Sequence, residues 1–340
     1  MHKRVWAVSE DIPGTKWKEV FERCWDGYRA WFLREGLTAR PTYLESVRAL
    51  RKFMPELLPT YEQIVDLAGG GDITARFLSL YRPTPYMSGC SQAVWGRRPY
   101  PALIRNYDYN PSLWDATMLH STWNGRRVIA MTDCVWGVLD GVSEAGLAVS
   151  LAFGGRRVVG DGFGIPLVLR YVLEFADSLR EAVRMVRRIP SHMTYNVTIV
   201  DRRGRTRTIH VSPDRRPVVT RQLVATNHQL PIEWTEYVKA TQSVEREEYL
   251  QLYLRNRSER KNQFVDRFLK PPVYAARFEK GWGTLYTAMY EPMSGFAALR
   301  WPAHILEQSL SSFRETTLDI HLGAPSTQAG SDIMNTGSAG

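Results

Sequence analysis

The feature that most constrains the fold is a change of sequence pattern at residue 90. Before it, apolar residues recur at steps of three and four, which places them on one face of a helix. The first such face comprises Trp17, Val20, Phe21, Cys24, Tyr28, Trp31 and Phe32. After it, short runs rich in β-branched and aromatic residues indicate strands, interrupted by helical segments. This order predicts an α+β layered fold in which a helical leader, residues 1–89, precedes a larger domain, residues 90–322, and a flexible tail, residues 323–340.

The spacing also predicts the individual elements. Leader helices are expected over 17–32, 41–54, 59–68 and 72–80, with the glycines at 69–71 ending the third. In the larger domain, strands are expected at 90–95, 102–107, 117–123, 127–132, 147–153, 195–201, 206–212 and 222–226. Helices are expected over 163–175, 178–189 and a charged region 235–269, and a final hairpin over 284–291 and 296–301.

Composition excludes several classes of protein. The 340-residue chain is 44 % hydrophobic and contains 39 aromatic residues, enough to fill a substantial core. No apolar run approaches the ~20 residues of a transmembrane helix, and the first ten residues do not resemble a signal peptide. Cys24, Cys90 and Cys134 are too widely spaced for a disulfide framework or a metal site. We therefore expect a cytoplasmic protein that binds neither a membrane nor a metal.

The net charge of +9 raises the question of a nucleic-acid partner. The densest group of arginines surrounds a turn at Gly204, where Arg and Thr alternate as on the solvated face of a hairpin. It consists of Arg202, Arg203, Arg205 and Arg207. We favour an ordinary solvated surface over a nucleic-acid patch or a site for an acidic partner, and expect no nucleic acid to bind.

Cys90 lies where the helical leader meets the first strand, directly after Gly89. A free cysteine is most often a small buried hydrophobe. At this junction it can instead act as a nucleophile, because Gly89 lets the backbone bend until the thiol reaches the Gly89 carbonyl. Cleavage there would free an α-amine with a pKa of about 7.7–8.0, which can serve as a base for the thiol of the same residue.

Other polar residues follow predicted strands. Arg105 and Asp108 are either a surface ion pair or part of a site, and Asn227 and His228 are either turn residues or part of one. The segment 140–147 has the pattern of a turn into a strand. A Cys–His hydrolase is an alternative, in which Cys90 would pair with a distant histidine, but no local signature supports it. The candidate partners are His192, His210 and His228.

Together these motifs resemble those of a known family. They are Gly89-Cys90-Ser91, Arg105-Asn106-Tyr107-Asp108, Gly141-Val142-Ser143-Glu144-Ala145-Gly146-Leu147 and Thr226-Asn227-His228. In this order they resemble cysteine N-terminal-nucleophile (Ntn) hydrolases. The most similar branch is the acyl-coenzyme A:6-aminopenicillanic acid acyltransferase group, and choloylglycine hydrolases and acid ceramidases are more distant relatives. The leader stretch 54–69 is similar to that group too, so the resemblance covers roughly residues 40–300.

The resemblance implies an αββα sandwich, self-cleavage between Gly89 and Cys90, and cleavage or transfer of an acyl group at a linear amide through a Cys90 thioester. It implies that Arg105 and Asp108 position the thiol and the amine, and that Asn227 donates to the oxyanion. No cofactor is implied, although acyl-coenzyme A could serve as an acyl donor. The leader would stay bound to the catalytic domain, and a homo-oligomer is compatible with the resemblance.

The sequence also departs from those relatives. Choloylglycine hydrolases have Asn where this chain has Ser143, and Gly283 stands where they have a late arginine. Tyr86, Trp136 and Trp282 could line an acyl pocket, although each is more readily explained as a core residue. Ser143 and His228 complete the set of candidate substrate-binding residues. An inactive relative that keeps the fold as a binding protein is a second hypothesis, beside the Cys–His hydrolase.

Overall fold

The computed structural model describes residues 1–323, and the predicted tail lies almost entirely outside them. The leader helices are α1 (Thr15–Phe32), α2 (Tyr43–Phe53), α3 (Leu58–Leu67) and α4 (Asp72–Leu78). The helices of the larger domain are α5 (Ile165–Phe175), α6 (Leu179–Arg188), α7 (Thr235–Ala240), α8 (Ser243–Arg255) and α9 (Lys261–Arg267). Short 3₁₀ helices lie at Leu37–Ala39, Pro55–Leu57, Pro111–Leu113 and Phe278–Lys280.

The strands form two sheets. The first half of the chain contains β1 (His2–Glu10), β2 (Gly89–Trp95), β3 (Ala102–Tyr109), β4 (Thr117–Ser121), β5 (Val128–Asp133), β6 (Gly137–Ser143) and β7 (Leu147–Phe153). The second half contains β8 (Tyr195–Asp201), β9 (Thr206–Ser212), β10 (Arg215–Thr220), β11 (Val224–Ala225), β12 (Ala276–Arg277), β13 (Trp282–Glu291), β14 (Phe296–Arg300), β15 (Ile305–Ser309) and β16 (Thr316–His321). One sheet has the strand order β10-β9-β8-β7-β6-β5-β4-β1-β16, and the other β11-β2-β3-β13-β14-β15, with β12 on β13.

The layers are those of an αββα sandwich. Strands β2 and β3 of one sheet pack against β7 of the other, so the two sheets face each other. Helices α5 and α6 cover the first sheet through contacts with β6–β9. Helices α8 and α9 cover the second sheet, where Leu250 and Phe264 join Ala93 and Ile104 in a separate apolar cluster. The four-layer prediction is confirmed.

The leader contains a strand that the sequence analysis missed. Strand β1 pairs in parallel with β4 and antiparallel with β16, so it lies inside the first sheet. Its buried residues, Val5 and Ala7, alternate with exposed or half-buried ones. We overlooked this period-two pattern because no continuous apolar run marks it. The prediction that the leader is wholly helical is therefore wrong for residues 2–10.

Most other elements agree with the sequence pattern, with shifted ends. Helix α2 begins after a capping box in which Thr42 and Glu45 bond each other's backbone N–H groups. The region 235–269 divides into α7, α8 and α9, and the expected strand at 222–226 shrinks to β11. Besides β1, strands β6, β10, β12, β15 and β16 were not predicted. Within residues 1–323, no helix has both the length and the apolar character needed to cross a membrane.

Candidate active site

Neighbouring strands of the second sheet bring the motif residues together. Strand β2 pairs antiparallel with β3, so that Gly89 lies opposite Asp108 and Cys90 opposite Tyr107. Strand β13 pairs with the other edge of β3 and sets Thr284 opposite Asp108. Residues separated by 15 and more positions in sequence therefore meet because of strand register alone.

Cys90 is completely buried, and each of its polar atoms has a defined partner. Its Sγ accepts from Arg105 Nη2 at 3.2 Å and lies 3.7 Å from Ser88 Oγ. Its backbone N–H donates to Asn227 Oδ1 at 2.7 Å, and its carbonyl accepts from Arg246 Nη1 at 2.8 Å. The sulfur therefore lies directly against a guanidinium, and hydrogen bonds fix the backbone on both sides of it.

Gly89 has no room for a side chain. A Cβ atom at this position would lie 2.3 Å from the ring of Trp282 and 2.9 Å from Cβ of Asp108. We expected glycine here for backbone freedom, but its φ is not in the left-handed region. The close packing of Trp282 and Asp108 is thus the reason the structure offers for a glycine before Cys90.

Asp108 is a buried carboxylate with one free oxygen. Its Oδ1 accepts from Thr284 Oγ1 at 2.7 Å, whereas Oδ2 has no hydrogen-bond partner within the described residues. Burial raises the pKa of Asp108, and Arg246, whose Nη1 lies 3.7 Å from Oδ2, opposes that rise. The unused oxygen lies beside Gly89, where cleavage would create the α-amine.

Asn227 holds the chain on both sides of the Gly89–Cys90 bond. Its Oδ1 accepts from Cys90 N, and its Nδ2 donates to the Ser88 carbonyl at 3.2 Å and to the Phe153 carbonyl at 3.1 Å. In the uncleaved chain the amide therefore faces the carbonyl one residue before the Gly89–Cys90 bond. Its side chain lies beside the nucleophile, and its role as an oxyanion donor stays a prediction.

Two residues at the site were missed from the sequence. Arg246 on α8 is buried, and besides Cys90 O it donates to Asn227 Oδ1 at 2.9 Å and to Ser91 Oγ at 2.8 Å. Tyr237 on α7 donates to the Ser88 carbonyl at 2.9 Å. A signal existed for Arg246: it stands among the buried positions of α8 with Ser243 and Leu250, where a solvated arginine is not expected. Tyr237 offered no such signal.

A cavity of about 200 Å³ opens at the site. Asp108, Arg246, Tyr274 and Trp282 line it, so it gives access to the face of the scissile segment. The hydroxyl of Tyr274 is buried without a partner among residues 1–323. Trp282, a predicted substrate-binding residue, thus packs against Gly89 and also lines this cavity.

Tyr86 lies in a second aromatic environment. Its ring packs on Trp31 of α1 and on Tyr109 of β3, with ring centroids 5.9 Å apart in both cases. These three residues, with Asp133 and Cys134, line a narrow cavity between the leader and the sandwich. Tyr86 precedes Cys90 by only four residues, which keeps it among the candidates for the acyl pocket.

Three other predicted substrate-binding residues lie away from Cys90. Trp136 is fully buried and donates to the Leu78 carbonyl at the end of α4, so we assign it to the core. Ser143 ends β6, and its buried hydroxyl has no hydrogen-bond partner within the described chain. His228 directs its ring toward α8, where Nε2 is 3.2 Å from Glu247 Oε2. A role for these three residues in substrate binding stays a prediction, because the sequence does not show which way a side chain in a turn or at a strand end points.

His228 instead belongs to a polar group behind Asn227. Its Nδ1 lies 2.9 Å from Ser243 Oγ, which accepts from the backbone N–H of Asn227 at 2.8 Å. Burial, with Arg246 nearby, lowers the pKa of His228, and burial raises that of Glu247 to about 7. The described residues contain no group of three or more His, Cys, Asp or Glu side chains arranged to hold a metal ion.

Comparison with known proteins places this site in context. Residues 96–305 match the family model described as acyl-coenzyme A:6-aminopenicillanic acid acyl-transferase. No curated protein gives a significant match.

Several solved structures are similar over 69 % of this chain. Penicillin V acylase from Agrobacterium tumefaciens is 14 % identical, with a TM-score of 0.46 and 92 % of that chain covered. The Caenorhabditis elegans ortholog of N-acylethanolamine-hydrolyzing acid amidase is 17 % identical, with a TM-score of 0.45 and 100 % covered. A mutant of the conjugated bile acid hydrolase from Clostridium perfringens is 13 % identical, with a TM-score of 0.43 and 98 % covered.

Proposed function

The chain belongs to the acyl-coenzyme A:6-aminopenicillanic acid acyltransferase family, and on that basis we propose that it is a self-cleaving cysteine Ntn enzyme that hydrolyses or transfers an acyl group at a linear amide. The observation that carries the proposal is the environment of Cys90. Its thiol contacts Arg105, its N–H is bonded to Asn227, and an unpartnered oxygen of Asp108 lies at the preceding residue. A cysteine with a purely structural role needs none of these contacts.

Maturation would begin with attack of Cys90 Sγ on the Gly89 carbonyl carbon. The C–N bond breaks, a thioester forms between Gly89 and Sγ, and the thiol proton ends on the freed nitrogen. Water then hydrolyses the thioester, which regenerates the thiol and leaves a carboxylate on Gly89. Asp108 would accept a hydrogen bond from the new α-amine through its free oxygen, and thereby orient it.

Turnover would use the same groups. The α-amine takes the proton of the thiol, Sγ attacks the acyl carbonyl, and negative charge develops on the carbonyl oxygen. Donors already in place, with the Asn227 amide as the foremost candidate, stabilise that charge. The proton passes to the departing amine, and water or a second amine then takes the acyl group from sulfur. Acyl-coenzyme A is an alternative acyl donor, because a thioester reacts at the same carbon.

The position of the Gly89 carbonyl predicts where the acyl group lies. A substrate carbonyl must replace that of Gly89, so its acyl chain follows the path of Ser88 toward the environment of Tyr86. We therefore expect the acyl pocket on the leader side, with Trp31 and Tyr109 in its wall. The leader would remain bound after cleavage, because β1 is hydrogen-bonded on both sides within the first sheet.

Intact mass spectrometry of the purified protein tests the proposal. We expect two masses, for residues 1–89 and 90–340, that co-elute in native gel filtration. A second measurement incubates the cleaved protein with a small panel of chromogenic acyl amides and quenches in acid, and the Cys90 peptide should then carry the acyl mass. A chain that stays full length and is not acylated would contradict the proposed function, and would favour the inactive binding protein.

A further inference from the structure

Arg105 is buried, and its guanidinium contacts both the sulfur of Cys90 and the carboxylate of Asp140. Its Nη2 donates to Cys90 Sγ, while Nη1 donates to a carboxylate oxygen of Asp140 on β6. Its Nε donates to the Leu151 carbonyl at 2.9 Å. Arg105 and Asp140 are both completely buried between the two sheets. The guanidinium therefore links the nucleophile on one sheet to a carboxylate on the other.

Asp140 is held by a complete set of donors. Tyr286 OH donates to Oδ2 at 2.7 Å, and Tyr290 OH donates to Oδ1 at 2.6 Å. Both tyrosines lie on β13 and are fully buried. Burial and the nearby Asp140 carboxylate raise the pKa of each hydroxyl well above its usual value, so both stay protonated donors. Three donors, on Arg105, Tyr286 and Tyr290, thus fix the carboxylate and, through it, the guanidinium.

We propose that Asp140 is a positioning residue that neutralises and orients Arg105, and so sets how strongly Arg105 stabilises the Cys90 thiolate. This inference rests on the proposed function, in which Cys90 is the nucleophile. An arginine without Asp140 would have the sulfur as its nearest anion and would hold it as a stable thiolate. A more stabilised thiolate is a weaker nucleophile, because nucleophilicity falls with basicity. Asp140 would keep the sulfur reactive by sharing the charge of Arg105.

Other groups around the thiol do not replace this role. Tyr107 on β3 and Tyr237 on α7 also face Cys90, and burial raises the pKa of both hydroxyls, so they are uncharged near neutral pH. Asp108 lies beside Gly89, and Arg246 donates to the Cys90 carbonyl and to Ser91 Oγ rather than to the sulfur. Burial alone would lower the pKa of Arg105, but Cys90, Tyr286 and Asp140 outweigh it and raise that pKa. Arg105 thus remains charged, and Asp140 is its buried carboxylate partner.

The test is the pH dependence of Cys90 alkylation by iodoacetamide, followed by peptide mass spectrometry on the cleaved fraction of each variant. Asp140→Asn keeps the shape of the side chain but removes its charge. We expect its alkylation profile to move toward acid by about one pH unit or more, with a lower kcat. Asp140→Glu restores the negative charge but not the original packing, so its alkylation profile should return toward that of the wild type. If Asp140 acted only through packing, this variant would not restore the profile.

The chain offers a matched control in Arg170 and Glu174, a fully buried ion pair on α5. Glu174→Gln leaves a buried arginine uncompensated on the other side of the sheet, and should lower the melting temperature without moving the profile. An Asp140→Asn profile identical to the wild type would overturn the inference and leave the proposed function intact. Wild-type Cys90 that is unreactive at every pH would contradict the proposed function itself.

A second variant decides the question if Asp140→Asn does not fold or does not cleave. Tyr290→Phe removes one hydrogen-bond donor from the Asp140 carboxylate. The negative charge of Asp140 is then less delocalised into hydrogen bonds, so Asp140 interacts more strongly with Arg105. The profile should then move toward alkaline pH, by less than the shift expected for Asp140→Asn. Tyr61→Phe, which removes a buried hydroxyl bonded to the Ala75 carbonyl of α4, is the control. Equal profiles for Tyr290→Phe and Tyr61→Phe would overturn the inference.

Discussion

Two buried carboxylate clusters in this molecule differ in their counter-charges. The thiol cluster consists of Cys90, Arg105, Asp108, Asp140 and Arg246, and its two arginines are almost completely buried. The leader cluster consists of Tyr28 from α1 with Asp115, Asp133 and Cys134 from the larger domain. Within residues 1–323, no arginine side chain donates to the two carboxylates of the leader cluster.

The leader cluster is joined by the hydroxyl of Tyr28. It donates to Asp115, lies 3.2 Å from Asp133 Oδ1, and accepts from Cys134 N at 3.0 Å. The turn it holds is strained, because Cys134 and Val135 have φ of 51° and 65°, which side chains disfavour. Burial and the neighbouring Asp115 raise the pKa of Asp133 to about 7. Here one α1 side chain stabilises a turn of the catalytic domain.

The comparison shows two uses of buried acids. Burial raises the pKa of Asp108, and Arg246 and Arg105 oppose that rise while their own charges lie next to the nucleophile. In the leader cluster, nearby Arg23 and Arg105 oppose the same effect on Asp115 and Asp133, but neither donates to those carboxylates. Acids that burial keeps protonated to higher pH suit hydrogen bonding rather than catalysis. We therefore expect substitutions in the first cluster to change chemistry and those in the second to change stability.

The largest contrast should come from the two buried cysteines. Cys90→Ala should abolish both cleavage and turnover, because it removes the attacking sulfur. Cys134→Ala should still be cleaved, because it keeps that sulfur, and should lose about 1 kcal/mol of stability. Intact mass, an amidase assay and thermal unfolding measure these outcomes. Amidase activity in Cys90→Ala would show that the two clusters are not divided as we propose.

A smaller loss of activity is expected for Asn227→Ala. Removing one oxyanion donor typically lowers kcat on the order of 10²–10³-fold, with little change of KM. Because Asn227 also binds Cys90 N and Ser88 O, cleavage should slow as well, so kinetics must be normalised to the cleaved fraction. Near-normal kcat with an unchanged melting temperature would make Asn227 a structural residue only.

Substitutions in the leader cluster should change how the free energy of unfolding depends on pH, rather than the rate of turnover. The folded-state pKa of Asp133 lies above the ordinary value of 3.8, so the folded protein binds its proton more tightly. Stability from this group is present at low pH and is lost as pH rises from about 4 to about 7, by at most about 1.4 kcal/mol per pH unit. Urea unfolding between pH 5 and 8 should show this slope in the wild type and a weaker one in Asp133→Asn.

Asp319→Asn is the control for that slope. Its exposed carboxyl bonds Arg4, which lowers its pKa, so it contributes no change above pH 5. An Asp133→Asn protein whose unfolding free energy keeps the full wild-type slope would show that Asp133 is not the group that titrates.

The smallest effects should come from two tyrosine hydroxyls, one at each cluster. Tyr28→Phe should lower the free energy of unfolding by about 1–2 kcal/mol, because buried partners lose a hydrogen bond, and should leave the rate of self-cleavage unchanged. Tyr237→Phe removes the donor to the Ser88 carbonyl and should slow cleavage more than it lowers stability. Unfolding curves and the rate of appearance of the 90–340 fragment separate the two. If the two variants changed the unfolding free energy and the cleavage rate by the same amounts, the two clusters would not differ in role.

The elements with a clear periodic pattern could be predicted from the sequence. Helix α1 buries six of its residues on the apolar face that the spacing predicted. The motif residues Cys90, Arg105, Asp108 and Asn227 do converge, as the family resemblance implied. Strands β1 and β16 escaped prediction because edge and near-edge strands carry mixed polar patterns and are defined by their neighbours.

Apart from the position of Arg246 on α8, nothing in the sequence pointed to the remaining site residues. Arg246 and Tyr237 reach Cys90 and Ser88 from helices more than 140 positions away, and Asp140 reaches Arg105 from the opposite sheet. Their significance depends on which side of a strand or helix faces the interior, and only the packed fold shows that.

The sequence by itself determined the order of the elements, the candidate nucleophile and the junction at which it lies, because these follow from local periodicity and short motifs. Only the tertiary structure decided which charges meet. Strand register set Asp108 at Gly89, the packing of the two sheets put Asp140 against Arg105, and the fold of α1 brought Tyr28 to Asp133. Electrostatic partners are a property of distance and burial, and both are fixed only when separate segments pack together.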